Sequence, residues 1–554
     1  MTTYQNIIIG AGPAGIQLAY YFKEEGIPYI VLEKTEMCGS FFSKFPLSGK
    51  LISINKKYTG NDNADFNLRH DWNSLISDND DLLFTKYSED YYPDHTDLVK
   101  YLNDYAKLNE LNIKYGMNVL KVKKTENDGY ILNIKNSNGE LETYTTEKLI
   151  VATGLSKPNM PKFTSDVIRD IKHYAQFEKD YFKKQENLDK YKNKSLIIFG
   201  NGNAAYELGN LLNPFCSNIA IIGRSPKEWA ATTHYTGDLR STYLPFLDTF
   251  LLKSLNSFDT VNIIANKSDS RFHITQKTEN DKYIVSLICS KNCDVEHPFY
   301  TDSIPGFDHV IYCTGWKFDN SIFDFKLDLT INDKYPAILP HYESINNKNL
   351  YFIGSLMHSL DFKKSSGGFI HGFRYLIKNF VNINYNIPFI TNIFPHKNLN
   401  GLVRHMYDKI NKSSAMYQMY GQLVDFFYVD KDTHEIVYYN NINKQLLLSD
   451  YFKINNTQYY VFSLEYGTQK ITDYINFGKA ITKVGQEAKS ILLHPVFRVM
   501  NYQEEFISNI IDTLNFTDHP LLIDEIHFDE DIFANFSGFA RYYEKLFRTL
   551  KMFM

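Results

Sequence analysis

Cysteine is scarce: Cys38, Cys216, Cys289, Cys293 and Cys313 are the five in 554 residues, too few and too scattered for a disulfide framework. The nearest pair, in "CSKNC", has three residues between its sulfurs, so no CxxC redox pair is offered, and a metal there lacks two further ligands. Tryptophan is rarer still, with Trp72, Trp229 and Trp316 isolated from one another. No run of 18 apolar residues occurs, so no membrane span is expected, and the first strand starts too early for a signal peptide. Positive charge is not in excess either: the net charge is -5, and without a basic tract no nucleic-acid partner is expected. What remains is a globular composition, 44% apolar and 22% charged, in a chain long enough for two or three domains. The expected compartment is the cytoplasm. A homo-oligomer stays open, and no metal ligand set stands out.

Against that background "NIIIGAGPAGIQLAYYFKEEGIPYIVLEK", from Asn6, is specific. An apolar strand ends in Gly10, Gly12 and Gly15, and Pro13 and Ala14 open an amphipathic helix that stops at Gly26. Gly10 permits the tight turn, Gly12 lets backbone amides approach a pyrophosphate, and Gly15 lets helix and strand pack closely. The helix N-terminus then faces the phosphates. Glu33, followed by Lys34, ends the next strand 23 positions after Gly10, near the roughly 20 expected for the acid that binds a ribose hydroxyl. Strand, turn, helix, strand and terminal acid together imply FAD or NAD.

A second unit repeats the layout. "SLIIFGNGNAAYELGNLL" places Gly200, Gly202, Asn203 and Ala205 in a GxGxxA turn. Its next strand, "IAIIGRS", ends in Arg224 and Ser225 rather than an acid, which suits a 2'-phosphate and points to NADPH. Two such units suggest that the first holds FAD and the second presents NADPH to it. "KLIVATG" and "HVIYCTGWKFD" each run from a strand into a TG pair, Thr153–Gly154 and Thr314–Gly315, and are read as crossovers between the two domains. Gly354 after a strand, with Gly367 and Gly368 before a helix, is expected to bring backbone amides to the flavin ring.

With these motifs the chain resembles the class B flavin monooxygenases. That resemblance implies that Asn55, in "LISINKKYTG", contacts an oxygenated flavin. The family fingerprint FxGxxxHxxxF is half present: His173 and Phe177 match, while Val167 and Arg169 stand in place of Phe and Gly. A closer resemblance spans most of the chain. "KLISINKKYTGNDNADFNLRHDWNSL", "THYTGDLR", "KSSGGFIHGFRY", "SAMYQMY" and "LEYG" resemble the family of FAD-dependent oxidoreductase domain-containing protein 2. Its animal members, linked to endoplasmic-reticulum-associated degradation, carry a signal peptide and a luminal retention tail. Neither is seen here, so fold and cofactors are carried over, the degradation role is not, and a soluble bacterial-type member is expected.

The expected architecture is therefore α/β. Two Rossmann-like domains, FAD-binding at 1–158 with 305–395 and NADPH-binding at 159–304, precede an α+β appendage at 396–554. Convergent polar and aromatic residues beside the cofactor domains make Arg69, Trp72, His234, Asp238 and Arg240 substrate candidates. The resulting expectation is a single-component monooxygenase that passes oxygen from a C4a-(hydro)peroxyflavin to a small electron-rich substrate by N-, S- or C-oxygenation, with O2 as co-substrate. Three alternatives stand beside it. One is a flavin halogenase with Lys253 as relay, although the WxWxIP signature is absent. Another is a thiol, disulfide or quinone reductase, with Cys38 as a single charge-transfer thiol. The last is a binding protein stabilised by its flavin.

Overall fold

The computed structural model describes residues 2–160, 171–223, 228–243, 258–262, 271–277, 282–288, 306–449, 451–452, 454, 456–468, 486–502, 522–528 and 539–554. The strand Thr2–Ile9 carries Ile7, Ile8 and Ile9, all buried, the run of apolar residues expected of a parallel strand covered on both faces. It pairs in parallel with Ile30–Leu32 on one side and Leu141–Val151 on the other. Asn347–Phe352 extends the parallel set beyond Leu141–Val151, and Ile113–Lys114 extends it beyond Ile30–Leu32. An antiparallel hairpin, Asn118–Lys124 and Tyr130–Lys135, is attached to the edge of Leu141–Val151.

The helix Pro13–Glu24 connects the first two strands of this sheet. It begins with Pro at its first position, where the missing N–H costs nothing. It ends where Gly26 takes φ +65°, and the amides of Gly26 and Ile27 return to the carbonyls of Lys23 and Phe22.

The second sheet repeats this order. Phe258–Asn262, Asn218–Gly223, Ser195–Phe199, His309–Tyr312 and Lys172–His173 lie side by side, all parallel. Both units thus place a TG strand beside their first strand. The expected return to the first domain at residue 305 is corrected by this pairing. His309–Tyr312 hydrogen-bonds to Ser195–Phe199, so the chain leaves the second domain only after Tyr312. Leu155–Pro158 and Trp316–Phe318 then pair antiparallel as the two-stranded connection between the domains.

The third unit also begins earlier than residue 396. Thr391–Pro395 is the edge of a six-stranded antiparallel sheet that continues through Glu435–Asn443, Leu423–Val429, Gln458–Glu465, His494–Asn501 and Leu522–His527. The helices Leu399–Lys412 and Phe539–Phe553 cover one face, where Leu402, Met406, Leu546 and Leu550 pack with Phe427, Tyr438 and Phe497. This is the α+β appendage. Among the described residues no helix is long and apolar enough to cross a membrane.

Candidate active site

In the first turn Gly10 has φ +104°, and a side chain there would meet the Ala152 carbonyl at 3.0 Å. Gly15 has no room for a side chain because the Gly10 carbonyl occupies it. Gly12 differs: nothing lies within 4 Å of its missing Cβ. The helix it opens has no side-chain cap, so its first amides are free for an anion. Glu33 is buried; its Oε2 accepts the Ala11 N–H at 2.8 Å, and its Oε1 accepts the Thr35 N–H at 3.0 Å and hydroxyl at 2.7 Å. The carboxylate is thus fixed at the mouth of the turn, whereas Lys34 is exposed. Gly154 has φ +64° with the Ser355 hydroxyl 3.3 Å from its missing Cβ, and Gly354, at φ +70°, gives way to Ala14 of the helix. An open pyrophosphate approach, an uncapped helix and a fixed acid fit the adenosine end of FAD.

The second turn is built alike. Gly200 has φ +118° and backs onto the Cys313 carbonyl, Gly202 faces open space, and Ala205 is buried where the first turn has Gly15. Thr314 donates its hydroxyl to the Asn159 carbonyl at 2.6 Å, and Asn159 bonds back to the carbonyls of Thr314 and Gly315, so the TG pair locks the two-stranded connection. Asn203 is spoken for by a neighbouring loop: its amide donates to the Asp238 carbonyl at 2.9 Å and accepts the Arg240 N–H at 2.9 Å. Arg224, Ser225, Val167, Arg169, Lys253, Cys289 and Cys293 lie outside the described residues.

The substrate candidates separate into two groups. Trp72 and Arg240 come together, the guanidinium lying 4.9 Å from the indole centroid. Trp72 also stacks on His371 at 4.3 Å, and His371 stacks on Phe369 at 5.8 Å, linking four side chains in one layer. His371 sits in the first turn of the helix Ile370–Asn384, is buried, and its Nε2 has no hydrogen-bond partner. Burial holds its imidazole well below the usual range. Asn55 is buried nearby in sequence space, its backbone bridged to Asp71. Its amide N–H donates to Ser88 O at 2.8 Å, and its Oδ1 is unmatched.

Arg69, His234 and Asp238 face elsewhere. Arg69 donates to the carbonyls of Ser413 and Ile410 at 3.0 and 2.7 Å and lies over Tyr417. His234 stacks on Tyr466 at 3.6 Å, and burial pushes its imidazole down to about 4. Asp238 accepts the Thr233 hydroxyl at 2.7 Å. Two of these three therefore dock the appendage.

Sequence reasoning missed a buried line of three groups. The Tyr235 hydroxyl lies 2.8 Å from His358 Nε2, and His358 Nδ1 lies 2.8 Å from Asp361 Oδ1. The other oxygen of Asp361 accepts the Gly367 N–H at 2.8 Å. Gly367 and Gly368 lack side chains where Asp361 and the His358 ring crowd in, so they make room for this line. The i,i+3 pair in "HSLD" was the available signal; its partner Tyr235 lies 123 positions away.

Cys38 is unsuited to act as a thiolate. It is fully buried, its Sγ lies 3.2 Å from the Tyr115 hydroxyl, and burial pushes the thiol up to about 11. Its neighbour Gly39 bonds to Ala11, which places it at the adenosine-side turn. Among the described residues no group of three metal-binding side chains occurs.

The family model for pyridine nucleotide-disulphide oxidoreductases matches residues 7–354. FAD-dependent oxidoreductase domain-containing protein 2 of Mus musculus is 32% identical over 517 residues, which cover 88% of this chain and 75% of the mouse protein. The Danio rerio protein of that name is 31% identical over 533 residues, 89% of this chain and 75% of its own length. A solved flavin-containing monooxygenase from Stenotrophomonas maltophilia is 15% identical with a TM-score of 0.48, covering 69% of this chain and 98% of its own. Two dinucleotide turns in parallel sheets, a fixed acid at the first, and a match over most of the chain lead to one assignment: the chain belongs to the pyridine nucleotide-disulphide oxidoreductase family and is an FAD-dependent oxidoreductase.

Proposed function

We propose that this enzyme is a single-component, NADPH-reduced flavin monooxygenase that transfers oxygen to a small electron-rich substrate. The observation that carries the reading is the aromatic layer of Arg240, Trp72, His371 and Phe369, which joins a loop of the second domain to the first domain's closing helix. When bound, FAD supplies the hydride acceptance and oxygen chemistry. The chain's own residues have other tasks. Gly10, Gly12, Pro13, Ala14, Gly15 and Glu33 hold the adenosine end of FAD, with Thr153, Gly154 and Gly354 closing that turn. Gly200, Gly202, Ala205, Arg224 and Ser225 hold NADPH, and Thr314 and Gly315 fix the connection. Arg240, stacked on Trp72, donates to the Ile52 carbonyl at 2.9 Å and so fixes the approach of the two domains. The unmatched and buried Asn55 Oδ1 and His371 Nε2 are acceptor or donor positions for bound reactants.

The protonated thiol of Cys38 sets this reading apart from a thiol–disulfide reductase. The free thiols of Cys38, Cys216 and Cys313 suit a reducing compartment such as the cytoplasm. The test is reconstitution with FAD, followed by NADPH oxidation under ¹⁸O2 with a panel of amines, thioethers and ketones. Label from O2 in one product is expected. Quantitative recovery of O2 as hydrogen peroxide with every substrate, or a preference for NADH, would overturn the corresponding part.

A further inference from the structure

We propose that Tyr235, His358 and Asp361 form a proton relay in which Tyr235 exchanges a proton with the molecule bound between the two dinucleotide turns, while His358 and Asp361 are positioning residues. The inference rests on the monooxygenase reading for the identity of that molecule, but its geometry stands alone.

The hydrogens can be assigned by elimination. Asp361 Oδ2 accepts a backbone N–H from Gly367, and Oδ1 faces His358 Nδ1. An ionised carboxylate only accepts, so Nδ1 carries the hydrogen. In a neutral imidazole Nε2 is then a lone pair, and the Tyr235 hydroxyl must donate to it. This is the order nucleophile or acid, imidazole, carboxylate of a Ser–His–Asp triad, with a phenol at its head. All three groups are buried, with Tyr235 at 7%, His358 at 2% and Asp361 at 3% exposure. A buried carboxylate is costly unless paired. Gly367 gives this one both room and a backbone N–H, and Gly368 gives room to the His358 ring.

Placement favours a transfer role over a packing one. Tyr235 comes from the loop that follows the second dinucleotide unit, while His358 and Asp361 come from the segment between the closing strand of the first and its helix. Phe369 of the aromatic layer touches both Tyr235, at 6.1 Å, and His358, at 5.9 Å. In the transfer, the Tyr235 O–H bond breaks and an N–H bond forms at His358 Nε2. That leaves an imidazolium beside the Asp361 carboxylate, and a phenolate. The phenolate then takes a proton from an N–H, O–H or S–H of the bound molecule; no electrons are gained or lost. Burial, with Tyr335, Asp361, Asp238 and Tyr420 around it, holds the Tyr235 phenol well above its usual range, and Tyr335, Tyr342, Tyr420 and Lys444 also face Asp361, so the phenolate forms only while its proton stays on His358.

The experiment uses the full-length FAD-loaded protein and the variants Tyr235→Phe, His358→Gln and Asp361→Asn. Ring-¹⁵N-labelled histidine, with the His358 signal identified by its loss in His358→Gln, reports the tautomer independently of turnover. A neutral Nδ1–H tautomer whose Nε2 signal shifts in Tyr235→Phe is expected. An Nε2–H tautomer, or no response to Tyr235→Phe, overturns the relay. For turnover, Tyr235→Phe is expected to lower kcat by about 100-fold or more, with FAD content and melting temperature held, and to remove an ionisation from the kcat–pH profile. An unchanged kcat and pH profile in that variant overturns the catalytic role. Wild-type protein that oxidises NADPH without oxygen transfer refutes the monooxygenase reading alone, and the relay is then judged on the tautomer and on the pH profile of NADPH oxidation.

Discussion

Gly12→Ala and Gly202→Ala are twin substitutions that should have different victims. Gly12 has φ -73° and ψ 178°, and Gly202 has φ -92° and ψ -175°, extended values that alanine adopts without strain. No atom lies within 4 Å of either missing Cβ. Each is the residue preceding a helix, where replacing glycine by alanine costs about 0.5–1 kcal/mol, so both variants should fold. The added methyl instead occupies the space through which a pyrophosphate reaches the helix amides. Blocking two charge-assisted hydrogen bonds at about 1.5–3 kcal/mol each forfeits about 3–6 kcal/mol, roughly 100- to 10,000-fold in affinity. Gly12→Ala should therefore purify without flavin. Gly202→Ala should keep its flavin, accept electrons from dithionite, and lose reduction by NADPH at concentrations that saturate the wild type. Flavin absorbance and stopped-flow bleaching measure both. Flavin retained in Gly12→Ala, or either flavin lost or NADPH reduction retained in Gly202→Ala, would refute the assignment of the turns. Gly200→Ala is the contrasting control: at φ +118°, backed by the Cys313 carbonyl, it should fail to fold the second domain.

Three further outcomes follow from buried groups. His234 is held neutral, with its imidazole pushed down to about 4 against about 6.5 in an unfolded chain. Stability should be complete above pH 6.5 and fall by up to about 1.4 kcal/mol per pH unit from there to pH 4. His234→Phe keeps a ring on Tyr466 and should shallow that acid limb in melting experiments; identical limbs would refute the account. Arg498 donates to Glu465 and Glu525 at 2.6 Å each, and its charge helps hold the Glu465 carboxyl down to about 2. Arg498→Leu leaves Glu465 with only the Ser463 hydroxyl and Glu525 with only His527 as side-chain hydrogen-bond partners, and should destabilise the appendage by about 3–5 kcal/mol in denaturant unfolding at pH 7, with a smaller loss at pH 4, where the acids begin to protonate. Arg374 is fully buried and donates to the carbonyls of Asp71, Ser74 and Leu68, so Arg374→Met should also cost about 3–5 kcal/mol and raise proteolysis between residues 68 and 74.

What the sequence disclosed was local chemistry. Gly10 and Gly15 announce a turn because a backbone that must take positive φ or touch another backbone excludes every other side chain, while Gly12 marks the side left open for a ligand. The parallel strands announce themselves because burial on two faces demands unbroken apolar runs. Gly367 and Gly368 were legible as positions that need glycine, but the reason, room for Asp361 and His358, lies in tertiary packing. The domain boundary at His309–Tyr312 was misread for a related cause: a strand belongs to the sheet that satisfies its hydrogen bonds, and its partner lies more than 100 residues away. The contacts of Arg69 and His234 with the appendage were not legible, because polar residues near aromatic ones in a loop look alike whether they face a ligand or another domain.

The contacts of those two residues show where the appendage docks. Separate dinucleotide domains joined by a two-stranded connection are free to shift against one another unless something spans them. The appendage touches both loops that meet at the aromatic layer. On the second domain's loop, Tyr466 stacks on His234 and the Tyr420 hydroxyl donates to the His234 carbonyl at 2.7 Å. On the first domain, Gln445 donates to the Leu360 carbonyl at 2.9 Å, within the segment that carries His358 and Asp361. Tyr235 follows His234 directly, so the contact that fixes His234 also fixes the phenol against its imidazole. A third unit with no dinucleotide turn among its described residues thereby sets the distance between groups contributed by the two units that carry one.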